Sequence, residues 1–255
     1  MSPQPKSSHI PCRHWNECGG CPLIRNDYKT QLKYKFDKVK KAFLDAGFGE
    51  GLIRQVLKPT QGSTMTLNYR NKAKWILQRD SASKKLKMGI YYPGTHEVVD
   101  IPSCAVHAGP INDVSFYVKQ KLIQYNVECG SEDLSLPSLR YLIARYSFRD
   151  KKLILVFVTT TGKVEGLENV YKDVEKKFGD QVVSIVQNIN ADTGNVLLGE
   201  ANRFIKKTGE LTEQMGKVRI PVGPLSFLQV NSSQAGYLYN RVKTLMGKGP
   251  YQLGL

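Results

Sequence analysis

Two neighbouring stretches, Leu139-Arg-Tyr-Leu-Ile-Ala-Arg-Tyr-Ser147 and Lys152-Leu-Ile-Leu-Val-Phe-Val-Thr159, indicate the fold class. Both are rich in branched and aromatic residues, and a short polar segment separates them, which is typical of paired strands. From 97 to 187 the pattern predicts a strand, a helix, two strands, a helix and a strand. That order favours a split βαβ arrangement, an open and largely antiparallel sheet with helices on one face. The predicted strands are 69–78, 88–92, 97–101, 139–147, 152–159, 182–187 and 196–199.

Four apolar stripes with helical spacing complete the expected architecture. The first predicts a helix over 28–46 that ends at Gly47, and the second a helix over 111–125 that follows Pro110. The third covers 167–178 and the fourth 235–245. Asn231 or Ser232 is placed to cap the fourth helix, and Asp192-Thr-Gly194 is typical of a hairpin turn.

Length and composition exclude several classes of protein. The chain has 255 residues, and its longest apolar run, Leu153–Val158, is far shorter than the ~20 residues that a membrane helix needs. Residues 1–9 are polar, contain two prolines and do not form a secretory signal, so we expect a disordered tail there. We therefore expect a cytoplasmic protein without a membrane partner.

Positive charge is concentrated in one quarter of the chain. Lys and Arg number 37 against 22 Asp and Glu, and the segment 24–87 alone holds 16 basic and 5 acidic residues. This concentration favours a polyanionic partner, nucleic acid first, although a solvated basic surface is the alternative. Within 69–78, Arg70, Lys72 and Lys74 fall on one side of the predicted strand, and its apolar residues fall on the other. That row suits phosphates, and its alternative is an edge strand guarded by lysines.

Three of the five cysteines are crowded near the start of the chain. Cys12, Cys18 and Cys21 lie within ten residues on a loop with two glycines, and Cys104 follows much later. Three thiolates on such a loop can reach one metal centre that a distant fourth would complete. The spacing leaves an iron–sulfur cluster, zinc and unligated cysteines open. Cys129 is the spare cysteine, for which we expect a place in the core.

Five blocks of sequence resemble the iron–sulfur-containing RNA uracil-5 methyltransferases of the 23S rRNA type. They occur in the family's order and span residues 12–231. The blocks are Cys12-Arg-His-Trp-Asn-Glu-Cys18-Gly-Gly-Cys21 with the helix after it, Tyr69-Arg-Asn-Lys72, Gly89-Ile-Tyr-Tyr-Pro-Gly-Thr-His96, Val99-Asp-Ile-Pro-Ser-Cys104 and Ser226-Phe-Leu-Gln-Val-Asn231.

The resemblance implies cofactors, a substrate and a set of site residues. Cys12, Cys18, Cys21 and Cys104 would hold a [4Fe–4S] cluster, and S-adenosylmethionine would supply the methyl group. Phe227 matches the family aromatic residue beside the target uracil, and Gln229 matches its glutamine at the cofactor–base site. The substrate would be RNA, with ribosomal RNA expected ahead of transfer RNA.

The resemblance also implies an incomplete enzyme. The chain stops at Leu255, near where the family's glycine-rich cofactor loop begins, so the nucleophilic cysteine and the general base are expected beyond that residue. Cys129 lacks the family's nucleophile context. We therefore expect this chain alone to be inactive. Two alternatives are a non-catalytic iron–sulfur module that binds RNA and a zinc-bound nucleic-acid module.

The expected fold class is α+β. A central split-βαβ antiparallel sheet domain with a Cys-cluster loop would comprise 10–23 and 56–225. The first elements of a truncated Rossmann-like methyltransferase domain would comprise 24–55 and 226–255. With no sheet to pack on, the apolar stripes of 28–46 and 226–246 would be exposed.

Overall fold

The computed structural model describes residues 11–80, 82–193, 196–207 and 209–247. The chain divides into two compact units, one up to Thr66 and the other from Leu67 onwards. The expected tail at 1–9 lies outside the described residues. The sequence-based division into 10–23 with 56–225 and 24–55 with 226–255 stays a prediction.

The first unit contains a cysteine-bearing loop and two helices, α1 (Tyr28–Asp45) and α2 (Glu50–Val56). The side chain of Asp27 caps α1, because its Oδ1 accepts a hydrogen bond of 2.9 Å from the backbone N–H of Thr30. None of the α1 residues is buried. The predicted exposure of its apolar stripe is confirmed for Val39 and Phe43, whereas Tyr28 and Leu32 are half-buried. The short helix α2 was not predicted.

The second unit is built on a seven-stranded sheet with the order β3-β2-β1-β4-β5-β6-β7. Every neighbouring pair is antiparallel except β5 with β6. The strands are β1 (Lys72–Arg79), β2 (Leu86–Tyr91), β3 (Val98–Asp100), β4 (Leu139–Tyr146), β5 (Leu153–Thr159), β6 (Val182–Ile189) and β7 (Ala201–Lys207), with a separate hairpin of β8 (Leu211–Met215) and β9 (Val218–Val222). The helices are α3 (Gly109–Gln124), α4 (Leu167–Phe178) and α5 (Ser232–Met246), and a 3-10 turn spans Gly179–Gln181.

Strand β5 is buried along its whole length, because both faces of the sheet are covered there. Helices α3 and α4 cover one face. Trp75 of β1 donates a hydrogen bond of 2.8 Å from its Nε1 to Ser115 Oγ of α3. On α4, the ring of Tyr171 packs edge-on against Phe157 of β5, with 5.0 Å between ring centroids.

The opposite face of β4, β5 and β6 is covered by the β8–β9 hairpin and by α5. Their shared apolar cluster contains Ile143, Ile154, Val156, Val158, Val183, Val186, Leu211, Met215, Val222, Leu228 and Ala235. Two hydrogen bonds tie the β4–β5 turn to β8: Ser147 Oγ donates to Thr212 O, and Thr212 N donates to Asp150 Oδ2. These contacts position the segment between β9 and α5.

The antiparallel character of the sheet is confirmed, but the split βαβ arrangement is wrong. Strands β5 and β6, joined by α4, are direct neighbours, and no strand lies between them. Strand β3 lies at the sheet edge with β2 and β1 between it and β4, and it runs antiparallel to β4. The expectation of helices on one face only is also wrong, since α5 packs on the other face through Ala235.

The long periodic elements and most strands were predicted, whereas α2, β8 and β9 were missed. The predicted helices 28–46, 111–125, 167–178 and 235–245 all correspond to observed helices. No helix among the described residues has the length and apolar character needed to cross a membrane. The strand expected at 196–199 is wrong, because β7 begins at Ala201. Of the expected turn Asp192-Thr-Gly194, Gly194 lies outside the described residues, but the strands on either side do pair antiparallel.

The β8–β9 hairpin escaped the sequence pattern because a charged residue occupies one of its inward positions. Glu213 in β8 is only 3% exposed, and its Oε2 accepts a hydrogen bond of 3.2 Å from the backbone N–H of Phe148. Pro221 in β9 also counts against a strand, although an edge strand tolerates it. A buried carboxylate and a proline together hide the alternation on which strand prediction depends.

Close packing of α5 on the hairpin gives a first testable prediction. A Cβ at Gly236 would lie 2.5 Å from the backbone nitrogen of Gly216 in the β8–β9 turn. We expect Gly236→Ala to lower the free energy of unfolding by about 1–3 kcal/mol, although alanine is the better helix former. Urea denaturation measures this.

The matched control is Gly109→Ala at the start of α3, where a Cβ meets nothing within 4 Å. That variant should be neutral or should gain up to about 1 kcal/mol. Equal stability of the two variants would show that α5 does not pack this closely.

Candidate nucleic-acid interface

The segment Ser226–Asn231 is an exposed loop between β9 and α5 whose ends are fixed. Asn231 caps α5, as predicted, because its Oδ1 accepts a hydrogen bond of 3.1 Å from the backbone N–H of Gln234. Leu228 is buried in the cluster beneath the hairpin. Phe227 is 85% exposed, so its ring is not part of the core. The side chain of Gln229 is exposed as well.

Asn71 holds this loop against the start of β1. Its backbone N–H donates a hydrogen bond of 2.8 Å to Val230 O. Its Nδ2 donates to Gln229 O at 3.0 Å and to Ser232 Oγ at 2.7 Å. Asn71 is fully buried. Sequence reasoning did not single out this residue, although it lies inside the Tyr69-Arg-Asn-Lys72 block.

Arg145 of β4 is a second support that the sequence pattern missed. Its Nη2 donates a hydrogen bond of 2.5 Å to Ser226 O. The residue is only 3% exposed, and its Nε and Nη1 have no hydrogen-bond partner in the described structure. Burial lowers the pKa of Arg145, and the nearby Glu213 opposes that shift. A buried guanidinium with two unsatisfied nitrogens is costly unless an anion approaches it.

The predicted basic row is in place next to Arg145. Lys72 pairs with Arg145 across the β1–β4 ladder, and Lys74 lies two residues further along β1. Burial lowers the pKa of Lys72, and the positive charges of Arg145, Lys74 and Arg70 add to that shift. Among the described residues, none of these four side chains forms an ion pair with an acidic residue.

The position of β1 rules out the alternative explanation of the row. Strand β1 lies between β2 and β4, so its lysines do not guard a sheet edge. The predicted alternation is confirmed over 72–75, since Ala73 and Trp75 are buried and Lys74 is exposed, but it ends there because Ile76 is buried too. Arg70 precedes the strand and forms an isolated bridge with His107, while its Nε donates to Lys72 O. Excess positive charge thus follows one open sheet face beside the Phe227 loop.

The cysteine loop carries thiol side chains, which are suitable ligands for iron. Burial raises the pKa of Cys18, a backbone hydrogen bond from Gly20 opposes the rise, and the neighbouring Cys12 thiol adds to it. The two thiols thus lie within electrostatic range of each other. His14 Nε2, in the same loop, is buried without a hydrogen-bond partner. Nevertheless, within the described ranges no three His, Cys, Asp or Glu side chains group as a metal ion would require, so the predicted four-cysteine set does not form such a group.

Cys129 lies in the core, as the sequence predicted, and His107 is buried as well. Cys129 is 1% exposed, and burial raises the pKa of its thiol to about 12, which makes it inert as a nucleophile at neutral pH. His107 is 8% exposed and packs edge-on against Trp75, with 4.9 Å between ring centroids. Burial, with a smaller effect of Arg70, lowers the pKa of His107 to about 4, so its imidazole is neutral at pH 7.

The apolar residues of α5 beyond its first turn are exposed, as predicted. Among them are Leu238 at 57% and Leu245 at 70% of their possible surface. Only Ser232, Ala235 and Gly236 of this helix are buried. The exposed stripe lies outside the apolar cluster that anchors the helix.

Sequence relatives of this chain are named as RNA methyltransferases. No protein-family model matches the chain. A protein of Clostridium tetani named as an uncharacterized RNA methyltransferase is 30% identical over 241 residues, which are 94% of this chain and 51% of that protein. A Geobacter sulfurreducens protein of the same description is 32% identical over 243 residues, 93% of this chain and 47% of that protein.

A solved structure extends the comparison to the fold. It is the Pyrococcus abyssi tRNA (uracil-54, C5)-methyltransferase in complex with S-adenosyl-L-homocysteine, with a TM-score of 0.69 and 23% sequence identity. The match covers 92% of this chain and 52% of that one. The chain thus spans about half the length of the relatives it matches. It is a sequence relative of proteins named RNA methyltransferases, and it shares its fold with part of a tRNA uracil methyltransferase.

Proposed function

We propose that this chain is the RNA-binding and base-presenting part of an S-adenosylmethionine-dependent RNA (uracil-5-)methyltransferase. The observation that carries the proposal is the exposed Phe227 next to basic side chains that have no acidic partner among the described residues. A ring that is 85% exposed offers a stacking surface for a base. The row of Lys72 and Lys74 offers positive charge for the adjoining phosphates.

The finer assignments of this proposal rest on the sequence resemblance. Phe227 stacks beside the target uracil, and Gln229 contacts the base or S-adenosylmethionine. The amide of Gln229 suits that role because it can donate and accept hydrogen bonds. Ribosomal RNA is the expected substrate, and cellular localisation is expected to be cytoplasmic.

A [4Fe–4S] cluster held by Cys12, Cys18, Cys21 and Cys104 also belongs to the proposal. Support comes from thiolate chemistry, which suits iron, and from the proximity of Cys12 and Cys18. Metal binding and folding are coupled at such sites, so ligands gather as the metal binds.

The basic row gives a direct test of RNA binding. We expect Lys74→Ala to weaken binding of single-stranded RNA and to reduce the slope of log affinity against log salt by roughly 0.7, because one phosphate contact is lost. Lys172→Ala, which removes an exposed charge from α4 on the opposite sheet face, is the matched control. Fluorescence anisotropy at several salt concentrations measures both.

Equal salt slopes for Lys74→Ala, Lys172→Ala and the wild type would show that RNA does not follow the row. Competition with total ribosomal RNA and total transfer RNA tests the substrate preference. Stronger competition by transfer RNA would contradict the expectation of a ribosomal substrate.

The chain alone should not transfer a methyl group. The one cysteine outside the proposed cluster, Cys129, is buried, and its thiol pKa is about 12. We therefore expect no label in RNA after incubation with methyl-labelled S-adenosylmethionine, under conditions in which the Pyrococcus abyssi enzyme labels transfer RNA. Labelling of RNA by this chain would contradict the expectation that the chain alone is inactive.

Metal content separates the cluster from its alternatives. Protein purified without oxygen should be brown and should contain iron and inorganic sulfide in equal amounts, and Cys104→Ser should lose most of both. Cys129→Ala, which removes the cysteine outside the proposed set, should keep them. Zinc in place of iron would favour the zinc-bound nucleic-acid module, and no metal at all would contradict a metal site of either kind.

A further inference from the structure

A cavity of about 460 Å³ opens on the sheet beyond the basic row. Its floor includes Ile76 of β1, and its walls carry Tyr91, His96, Arg140 and Tyr141, with Glu132 as an acidic lining residue. Nothing in the function proposed above uses this cavity. All of these residues belong to the second unit.

The cavity combines aromatic rings with fixed positive charge. The Tyr141 ring centroid is 5.4 Å from Arg140 Cζ and 5.7 Å from Lys74 Nζ. Arg140 is held in place because its Nη1 donates to Asn190 O at 2.8 Å and to Asp192 O at 3.0 Å. The rings of Tyr91 and His96 meet edge-on, with 5.4 Å between their centroids.

This arrangement matches what an unpaired nucleotide requires. Bases stack on the faces of tyrosine and histidine rings and on the plane of an arginine. Tyr91 is 37% exposed and His96 is exposed, so both rings are accessible. The carboxylate of Glu132 adds an acceptor for the amino or imino hydrogens at a base edge.

The cavity and the Phe227 loop lie at opposite ends of the same strip of sheet. On β4, Arg145 and Tyr141 point to the same face, since they pair with Lys72 and Ile76 of β1. Arg145 lies four positions further along β4 than Tyr141, which corresponds to a distance of about 13 Å. Arg145 contacts the Phe227 loop through Ser226 O, whereas Tyr141 lines the cavity. Lys72 lies opposite Arg145, and Lys74 lies opposite Ile143, between Arg145 and Tyr141.

We propose that this cavity binds a second, unpaired nucleobase of the RNA whose target base is presented at Phe227. The phosphates between the two bases follow Lys72 and Lys74. This inference rests on the proposed RNA-binding function. It adds a site that would select RNA with an unpaired nucleotide at a set distance from the target.

Binding of a short labelled single-stranded RNA to the 255-residue chain tests the cavity. We expect Tyr91→Ala to weaken binding about 5- to 150-fold, the loss that follows removal of one base–aromatic stack. The salt slope should not change, because no charge is removed. Tyr91→Phe keeps the ring and should bind like the wild type.

The matched control is Phe116→Ala, which removes an exposed aromatic ring from α3 on the opposite face of the sheet. It should leave RNA binding unchanged. His96→Ala is a second test in case Tyr91→Ala does not fold, and it should also weaken binding. An abasic RNA of the same length should bind the wild type and Tyr91→Ala equally.

The possible outcomes separate this inference from the proposed function. If the wild type binds RNA and both Tyr91→Ala and His96→Ala bind it equally well, the cavity does not hold a base, while RNA binding stands. If Tyr91→Ala weakens binding to abasic RNA as much as to normal RNA, stacking is not the cause and the inference fails. If the wild type binds no RNA, both proposals fail.

Discussion

The hydrogen bonds of Asn71 join three parts of the larger unit at one buried point. Its backbone N–H donates to Val230 O, and its side-chain Nδ2 donates to Gln229 O and to Ser232 Oγ at the start of α5. Its backbone carbonyl accepts a hydrogen bond from Tyr146 N. Because buried amide groups are costly without partners, neither the loop nor the start of β1 can move alone. The position of Phe227 relative to the basic row depends on this constraint.

In the absence of a bound anion, the basic row destabilises the fold. Lys72 and Arg145 face each other across a ladder, and burial disfavours the charged form of both. Glu213 offsets part of the charge on Arg145, but two guanidinium nitrogens still have no partner in the described structure. Local costs of this kind are typical of sites that a ligand completes. A phosphate would supply the negative charge and the hydrogen-bond acceptors that these groups lack.

The cysteines occupy two different environments, which bear on their chemistry. Cys129 is buried in the sheet region and its thiol is held in the protonated form. Cys12, Cys18 and Cys21 are half-buried on a turn-rich loop, where the thiols of Cys12 and Cys18 influence each other. Thiolates in accessible positions bind metals, whereas deeply buried thiols behave as small apolar side chains.

The amino-acid pattern alone was sufficient to predict the long helices and most strands of the sheet, because periodicity records which side of an element is apolar. It also predicted that Lys72 and Lys74 lie on one face of β1 and that Ala73 and Trp75 lie on the other. It could not predict that β6 lies directly beside β5, that Glu213 is buried in a hairpin, or that Asn71 and Arg145 support the Phe227 loop. Those features depend on contacts between residues far apart in the chain, and such contacts leave no periodic trace in the sequence.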